Sequence, residues 1–191
     1  MSKFEVTDRN WMSFYREGGT AGGESMLRII ASCAGLALVS AAQAQPILRM
    51  GAGQFPIAAS VEVPAGSRLI YVSGTVPDIA DANAPEGSVQ RFGDTEAQTR
   101  SVLKKIEAQL KQHGLGMRDV VMMRVFLVAP PNSTRMDFAG MMRGYSALFG
   151  TAQQPNKPAR STMQVAGLVD PGWLVEIEVT AAQGPAGGKS R

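Results

Sequence analysis

Apolar residues in the middle of the chain recur at three- and four-residue spacing, the pattern of helices that pack along one side. In the first such stretch the apolar positions are Val102, Leu103, Ile106 and Leu110. Asp94 or Thr95 is expected to cap this helix, and Gln98 follows Thr95 at the spacing of a capping box. His113 and Gly114 should end it, because glycine suits a left-handed C-terminal cap.

A second helix is predicted over residues 135–149. Its apolar side consists of Phe138, Met141, Met142, Tyr145, Leu148 and Phe149. Shorter runs rich in β-branched and aromatic residues predict strands at residues 60–63 and 68–74. Residues 120–128 are nearly all apolar, which predicts a central strand covered on both faces.

The last folded segment predicts two strands, residues 158–165 and 174–180, joined as a hairpin through Asp170-Pro171-Gly172. Alternation places polar residues on one face of each strand. These are Arg160, Thr162 and Gln164 in the first strand and Glu176, Glu178 and Thr180 in the second. Such a face is either a solvated surface or a binding site. The order β-β-α-β-α-β-β, with two amphipathic helices against one mixed sheet, predicts a two-layer α+β domain.

A leader is predicted ahead of this domain. A short apolar run that ends in Ala42-Gln43-Ala44 is typical of a secretory signal peptide over residues 26–44. The run is shorter than the roughly 20 residues of a membrane span. We expect translation to begin at Met26 and cleavage to leave Gln45 as the first mature residue, with an uncleaved anchoring helix as the alternative. The mature protein should then be periplasmic or secreted, without stable membrane association.

The rest of the chain divides by composition. Residues 1–44 form the leader, residues 45–53 are expected to be a linker, residues 54–183 the domain, and residues 184–191 a disordered tail.

Composition removes several classes of function. The chain has one histidine and one cysteine, and the cysteine, Cys33, lies in the leader. A thiol nucleophile is therefore excluded from the mature part, and no metal site is expected. The net charge is only +3 and the cations are scattered, so the sequence lacks the basic stripe of a nucleic-acid-binding protein.

Arg160, Glu176 and the strand end Ser73-Gly74 remain as candidates for chemistry. An arginine fork can bind a small carboxylate through two hydrogen bonds. A glutamate close to a planar carbon can direct water onto it as a general base. Backbone N–H groups near Gly74 can stabilise an anionic oxygen.

Several segments together resemble the RidA (YjgF-like) reactive-intermediate deaminases, over residues 53–182. They are Tyr71-Val72-Ser73-Gly74, the helix start at residues 95–102, the strand at residues 120–128, Tyr145 with Phe149, Pro158-Ala159-Arg160-Ser161 and Val175-Glu176-Ile177-Glu178. The resemblance implies a chorismate-mutase-like fold and a homotrimer with active sites between subunits. It also implies hydrolysis of 2-aminoacrylate or 2-iminobutanoate to the 2-keto acid and ammonia, without a cofactor.

The resemblance also implies roles for single residues. Arg160 matches the carboxylate-binding arginine, Glu176 matches the glutamate that handles water, and Ser73 with Gly74 match the cleft wall. Two further positions depart from the family pattern and make the expected cleft more apolar. Ile57 stands where the family has a tyrosine, and Met142 stands where it has an asparagine.

Thr162, on the same strand face as Arg160, completes the predicted substrate-binding set. Two other functions stay open. One is a non-catalytic trimeric module that binds small carboxylates. The other is an endoribonuclease, which the absence of a histidine pair and of a basic stripe makes the weaker alternative.

Overall fold

In the described part of the chain, six strands form one mixed sheet and two helices pack on one of its faces. The strands are β1 (Leu48–Gly51), β2 (Ala58–Glu62), β3 (Arg68–Thr75), β4 (Val120–Leu127), β5 (Ala159–Gln164) and β6 (Val175–Gln183). The helices are α1 (Thr95–Gln112) and α2 (Phe138–Ser146). The strand order is β1-β2-β5-β4-β6-β3. β5 runs parallel to β2 and β4, and the other pairs are antiparallel. The predicted two-layer α+β architecture is confirmed.

The computed structural model describes residues 45–51 and 53–185. The predicted leader and signal peptide lie outside these residues, as do residues 186–191 of the predicted tail.

Helix α1 supplies the core on the helix side of the sheet, as its spacing predicts. Its four predicted apolar residues, Val102, Leu103, Ile106 and Leu110, are fully buried. Asp94 is the N-cap, and its side chain accepts a hydrogen bond from Ala97 N at 2.9 Å. His113 caps the C-terminus, and Gly114 follows with a φ of 73°.

Gln98 does not form the predicted capping box. Its buried amide donates to the carbonyls of Gly93 and Gly172, each at 2.9 Å, and accepts from Leu174 N at 2.7 Å. These bonds connect the start of α1 to the turn before β6. A buried amide whose groups are all paired stabilises such a connection.

Helix α2 is shorter than the predicted 135–149. It begins after Asp137, whose side chain accepts from Gly140 N at 2.8 Å. The residues before it are held outside the helix by Gln164, which accepts from Met136 N and donates to the Thr134 carbonyl. A β5 side chain therefore competes for the backbone groups of the predicted first turn.

The predicted hairpin is wrong, although both of its strands exist. β5 and β6 are not neighbours, because β4 lies between them and pairs with each. The turn itself forms, with Gly172 N donating to Asp170 Oδ1 at 2.8 Å. It leads the chain over β4 instead of back onto β5.

The predicted linker also contains regular structure. Residues 48–51 form β1, which pairs antiparallel with β2 and makes an edge of the sheet. Arg49 fastens this edge to the body of the domain, since its Nη2 donates to the carbonyls of Arg118 at 3.1 Å and Val120 at 3.3 Å.

The sheet has a covered face, against the helices, and an open face. Met123, Val125 and Leu127 of β4 are fully buried on the covered face, and Met122, Arg124 and Phe126 alternate onto the open face. The open face also carries Tyr71, Met163, Glu176 and Glu178. Within one chain, the prediction that β4 is covered on both faces is therefore wrong.

Candidate functional site around Arg160

Arg160 projects from β5 onto the covered face and packs against α2. Its register partner on β4 is Met123, a core residue. The guanidinium carbon lies 4.2 Å from the centroid of the Tyr145 ring and 5.9 Å from that of Phe138. Nη2 donates to Met142 Sδ at 3.3 Å. The cation is thus held by two aromatic rings and a thioether.

The local sequence explains why α2 presents these groups together. Phe138, Met142 and Tyr145 are spaced by four and three residues, so they line one side of the helix. The Tyr145 hydroxyl donates to the Pro56 carbonyl at 2.8 Å, which holds the segment that leads into β2. Ile57 follows Pro56 and packs against the core next to this site.

The guanidinium of Arg160 is not electrically balanced by the described residues. It is half-buried, its Nη1 is buried without a hydrogen-bond partner, and it takes part in none of the ion pairs formed by these residues. Burial lowers the pKa of Arg160 from its usual value, and Tyr145 opposes that change. Arginine nevertheless remains protonated in proteins, so the site retains a buried positive charge that an anion would compensate.

Burial also raises the pKa of the Tyr145 phenol well above its usual range, and the positive charge of Arg160 opposes this only in part. Tyr145 therefore stays protonated and acts as a hydrogen-bond donor and a ring surface. It is not a base at this site.

Thr162 lies two residues after Arg160, on the same face of β5. Its Oγ1 is also buried without a hydrogen-bond partner. Gln164, the third polar residue of this face, already forms hydrogen bonds with the backbone of the loop before α2. The structure thus leaves Arg160 and Thr162 as adjacent polar groups with free hydrogen-bonding capacity.

A second group of predicted site residues lies on the opposite face of the sheet. The pairing of β3 with β6 is irregular between Val72 and Thr75, which sets Ser73 and Gly74 out of register. A Cβ atom added to Gly74 would collide with the Glu176 carboxylate. Only glycine therefore lets this carboxylate lie against β3, which places Glu176 beside Gly74.

The predicted set therefore divides in two. Arg160, Met142 and Thr162 lie together on the covered face, with Ile57 nearby. Glu176 pairs in register with Phe126 on the open face, together with Ser73 and Gly74. One chain alone does not bring Arg160 and Glu176 together.

Sequence reasoning from the strands did not assign the ring surfaces of Phe138 and Tyr145 to the site. Their spacing relative to Met142 was the available signal, because it places all three on one side of a helix. The sequence did not show which strand packs against that side of the helix.

Within residues 45–51 and 53–185, no group of three or more His, Cys, Asp or Glu side chains is arranged to hold a metal ion. No helix in the same residues has the length and apolar character needed to cross a membrane.

Comparison with known proteins places these features in a family. A family model described as Endoribonuclease L-PSP matches residues 51–183, most of the chain. The chain belongs to the YjgF/RidA family. A Rid-family protein of unknown function from Yersinia pestis is 25% identical, with 73% of this chain and all of that one covered at a TM-score of 0.53.

Other solved members of the family are similar at the same level. The YjgF gene product of E. coli is 29% identical over 63% of this chain and 84% of its own, at a TM-score of 0.46. TdcF of E. coli with bound serine is 26% identical over 73% of this chain and 98% of its own, also at 0.46. The family assignment rests on the family-model match over residues 51–183.

Proposed function

We propose that this chain hydrolyses 2-imino acids to 2-keto acids and ammonia, with Arg160 binding the substrate carboxylate. The observation that carries the proposal is the half-buried guanidinium whose Nη1 has no partner. A carboxylate would compensate its charge, and guanidinium and carboxylate groups match in shape and hydrogen-bonding direction. Membership of the YjgF/RidA family supports the same chemistry.

Glu176 is assigned the role of general base. It takes a proton from water as the oxygen attacks the imine carbon and passes that proton to the nitrogen, which gives a carbinolamine. The hydroxyl proton then moves through Glu176 to the nitrogen as the keto C=O bond forms, the carbon–nitrogen bond breaks, and the nitrogen leaves as ammonia. No redox step occurs, so this chemistry calls for no cofactor. Because Arg160 and Glu176 lie on opposite faces of the sheet, the two must come from different copies of the chain.

The open face supports a homotrimer of this kind. Tyr71 on this face is 74% exposed, and Leu69 and Met163 are also exposed hydrophobic residues. Exposed apolar side chains of this size, gathered on one sheet face, are typical of a surface that another chain covers.

The principal test follows the decay of 2-iminobutanoate released in situ by an amino-acid oxidase. We expect the protein to accelerate the decay over buffer, and Arg160→Ala to abolish the acceleration. Arg143→Ala is the matched control, because it removes an exposed cation of α2 that pairs with Glu96. Acceleration that survives in Arg160→Ala would contradict the assignment of the arginine.

Glu176 is tested by the same assay with Glu176→Gln. The matched control is Glu178→Gln, on the same strand and face, where the carboxylate pairs with Arg124 at 2.6 Å. We expect the first change to reduce kcat by about 100-fold or more and the second by less than about threefold. Equal effects of the two changes would remove the special role of Glu176.

A non-catalytic carboxylate-binding module is the second candidate, favoured by the separation of Arg160 from Glu176 within one chain. It predicts Arg160-dependent binding of 2-ketobutyrate in calorimetry without acceleration of imine decay. Binding together with turnover would exclude it.

The description of the matching family names an endoribonuclease. In this sequence the single histidine, His113, caps the end of α1, and its carbonyl accepts a hydrogen bond from Arg68. One chain therefore cannot supply a catalytic histidine pair. RNA cleavage that survives rigorous purification and disappears in Glu176→Ala would favour this function over deamination.

We also propose that the predicted signal peptide exports the domain. N-terminal sequencing of protein recovered from the periplasm or medium should then begin at Gln45. A cytoplasmic protein that begins at Met1 or Met26 would contradict export.

A further inference from the structure

Within one chain, the surroundings of Arg160 offer a bound molecule few polar groups beyond the guanidinium itself. The nearest side chains on α2 are Phe138, Met142 and Tyr145. The Tyr145 hydroxyl is already used by the Pro56 carbonyl. Of the polar groups described above, Thr162 Oγ1, two residues along the same strand face, is the one without a hydrogen-bond partner, and a hydroxyl can donate to a carboxylate oxygen.

The apolar groups, in contrast, are available for contact. Phe138 is 44% exposed although its ring lies against the Arg160 cation, and Met142 is half-buried. A hydrophobic group bound next to the carboxylate would cover the Phe138 ring and gain free energy by leaving water. A hydroxyl or amide there would lose its hydrogen bonds to water without replacement.

The Met142 side chain also contacts the guanidinium directly. Its Sδ accepts from Nη2 at 3.3 Å, and a thioether is a weak acceptor. A carboxylate is a much stronger acceptor and would displace the sulfur. The flexible methionine side chain can then pack on the remainder of the ligand.

We propose that this site selects 2-imino acids with hydrophobic side chains of three or more carbons, and that Met142 and Phe138 determine this selectivity. The inference rests on the proposed deamination for its catalytic part. Its binding part requires only that Arg160 hold a carboxylate.

The catalytic test uses imino acids released by an amino-acid oxidase from alanine, 2-aminobutyrate, norvaline and methionine. We expect kcat/KM to rise about threefold to fourfold per added methylene from alanine to norvaline. Met142→Asn should reduce the ratio of kcat/KM for the norvaline and alanine imines to near one, and Met142→Leu should preserve it. Met50→Asn, at an exposed methionine of β1, is the control and should leave the ratio unchanged.

The binding test separates this inference from the deaminase proposal. Calorimetry with pyruvate, 2-ketobutyrate and 2-ketopentanoate should show affinity rising with chain length, and Phe138→Ser should flatten the rise. Absence of acceleration for every imino acid overturns the proposed activity but not this inference, provided that affinity still rises with chain length. Affinity or kcat/KM that is flat or falls with chain length overturns the inference, even if turnover is rapid.

Discussion

The covered and open faces of the sheet are made by the same strands, yet they differ in how completely their side chains are buried. On β4, Met123 and Val125 are completely buried, while Met122 and Phe126 beside them are only half-covered. The covered face is a packed core that includes the half-buried Arg160 guanidinium, whose Nη1 has no hydrogen-bond partner. The open face carries apolar side chains and Glu176 without a covering layer. One chain therefore completes the packing of the covered face but not that of the open face, and under our proposal ligand binds on the first side and a second chain covers the other.

The largest effect is expected from a truncation on the covered face. Leu103→Ala should lower the free energy of unfolding by about 3 kcal/mol, because Leu103 is fully buried in the core against the sheet. Denaturant titration should show this loss at every protein concentration. Phe126→Ala on the open face should cost less, and its effect should depend on protein concentration. If both variants lost the same free energy of unfolding at every protein concentration, the proposed difference between the two faces would be contradicted.

The next prediction concerns assembly through the open face. Tyr71→Asp should weaken self-association by about 100-fold, because Tyr71 is 74% exposed on this face and, in the proposed trimer, the change places a charge in an apolar interface. Sedimentation velocity at micromolar concentration measures the change. Val169→Asp is the matched control, since Val169 is 92% exposed in the loop before β6. A wild-type protein that sediments as a monomer would contradict the trimer directly.

A smaller effect is expected where β3 meets β6. Gly74→Ala should displace the Glu176 carboxylate, whose end is the group that an added Cβ would meet. We expect kcat to fall about tenfold with the melting temperature nearly unchanged, because a flexible side chain can move while the strands stay paired. Imine-decay assays and thermal melts on the same samples give both values. A large loss of melting temperature would mean that the backbone yields instead of the side chain.

The smallest effect is expected on the outer side of the helix layer, away from both sheet faces. Glu96 accepts from Arg100 Nη2 at 2.8 Å and from Arg143 Nε at 2.6 Å, and the bond from Arg143 is the main reason that the pKa of Glu96 is lowered. A lowered pKa contributes stability above the unfolded pKa, and this contribution is lost as the pH falls through the folded pKa.

Glu96→Gln should therefore reduce the melting temperature slightly at pH 7, and the difference from the wild type should shrink below about pH 4. High salt should shrink it as well, because the pairs are exposed. A difference that persists at low pH would assign the effect to packing.

Local patterns were sufficient to predict both helices, although not the ends of α2, and most of the strands. The stripe of α1 is buried as predicted, and the polar alternation of β5 and β6 is present. The hairpin was wrong because a turn signal such as Asp170-Pro171-Gly172 fixes a reversal without specifying which strand pairs next. That choice depends on β4, more than 30 residues earlier in the chain.

For the candidate site, too, local patterns did not specify how the strands are arranged relative to one another. Alternation puts Arg160 and Glu176 on the polar side of their own strands, but it cannot relate one strand's faces to the other's. Registers with β4 decide this, through Met123 for Arg160 and Phe126 for Glu176. The Phe138 and Tyr145 rings beside Arg160 depend on the packing of α2, which the spacing alone does not orient.

Strand β1 has a practical consequence for recombinant work. A gene trimmed to begin at residue 54, where composition suggested the domain starts, would delete this strand and the anchoring carbonyl contacts of Arg49. β2 would then become an exposed edge strand. Its unpaired backbone groups could pair with strands of other molecules, and the product would tend to aggregate. Cloning from Gln45 avoids this hazard.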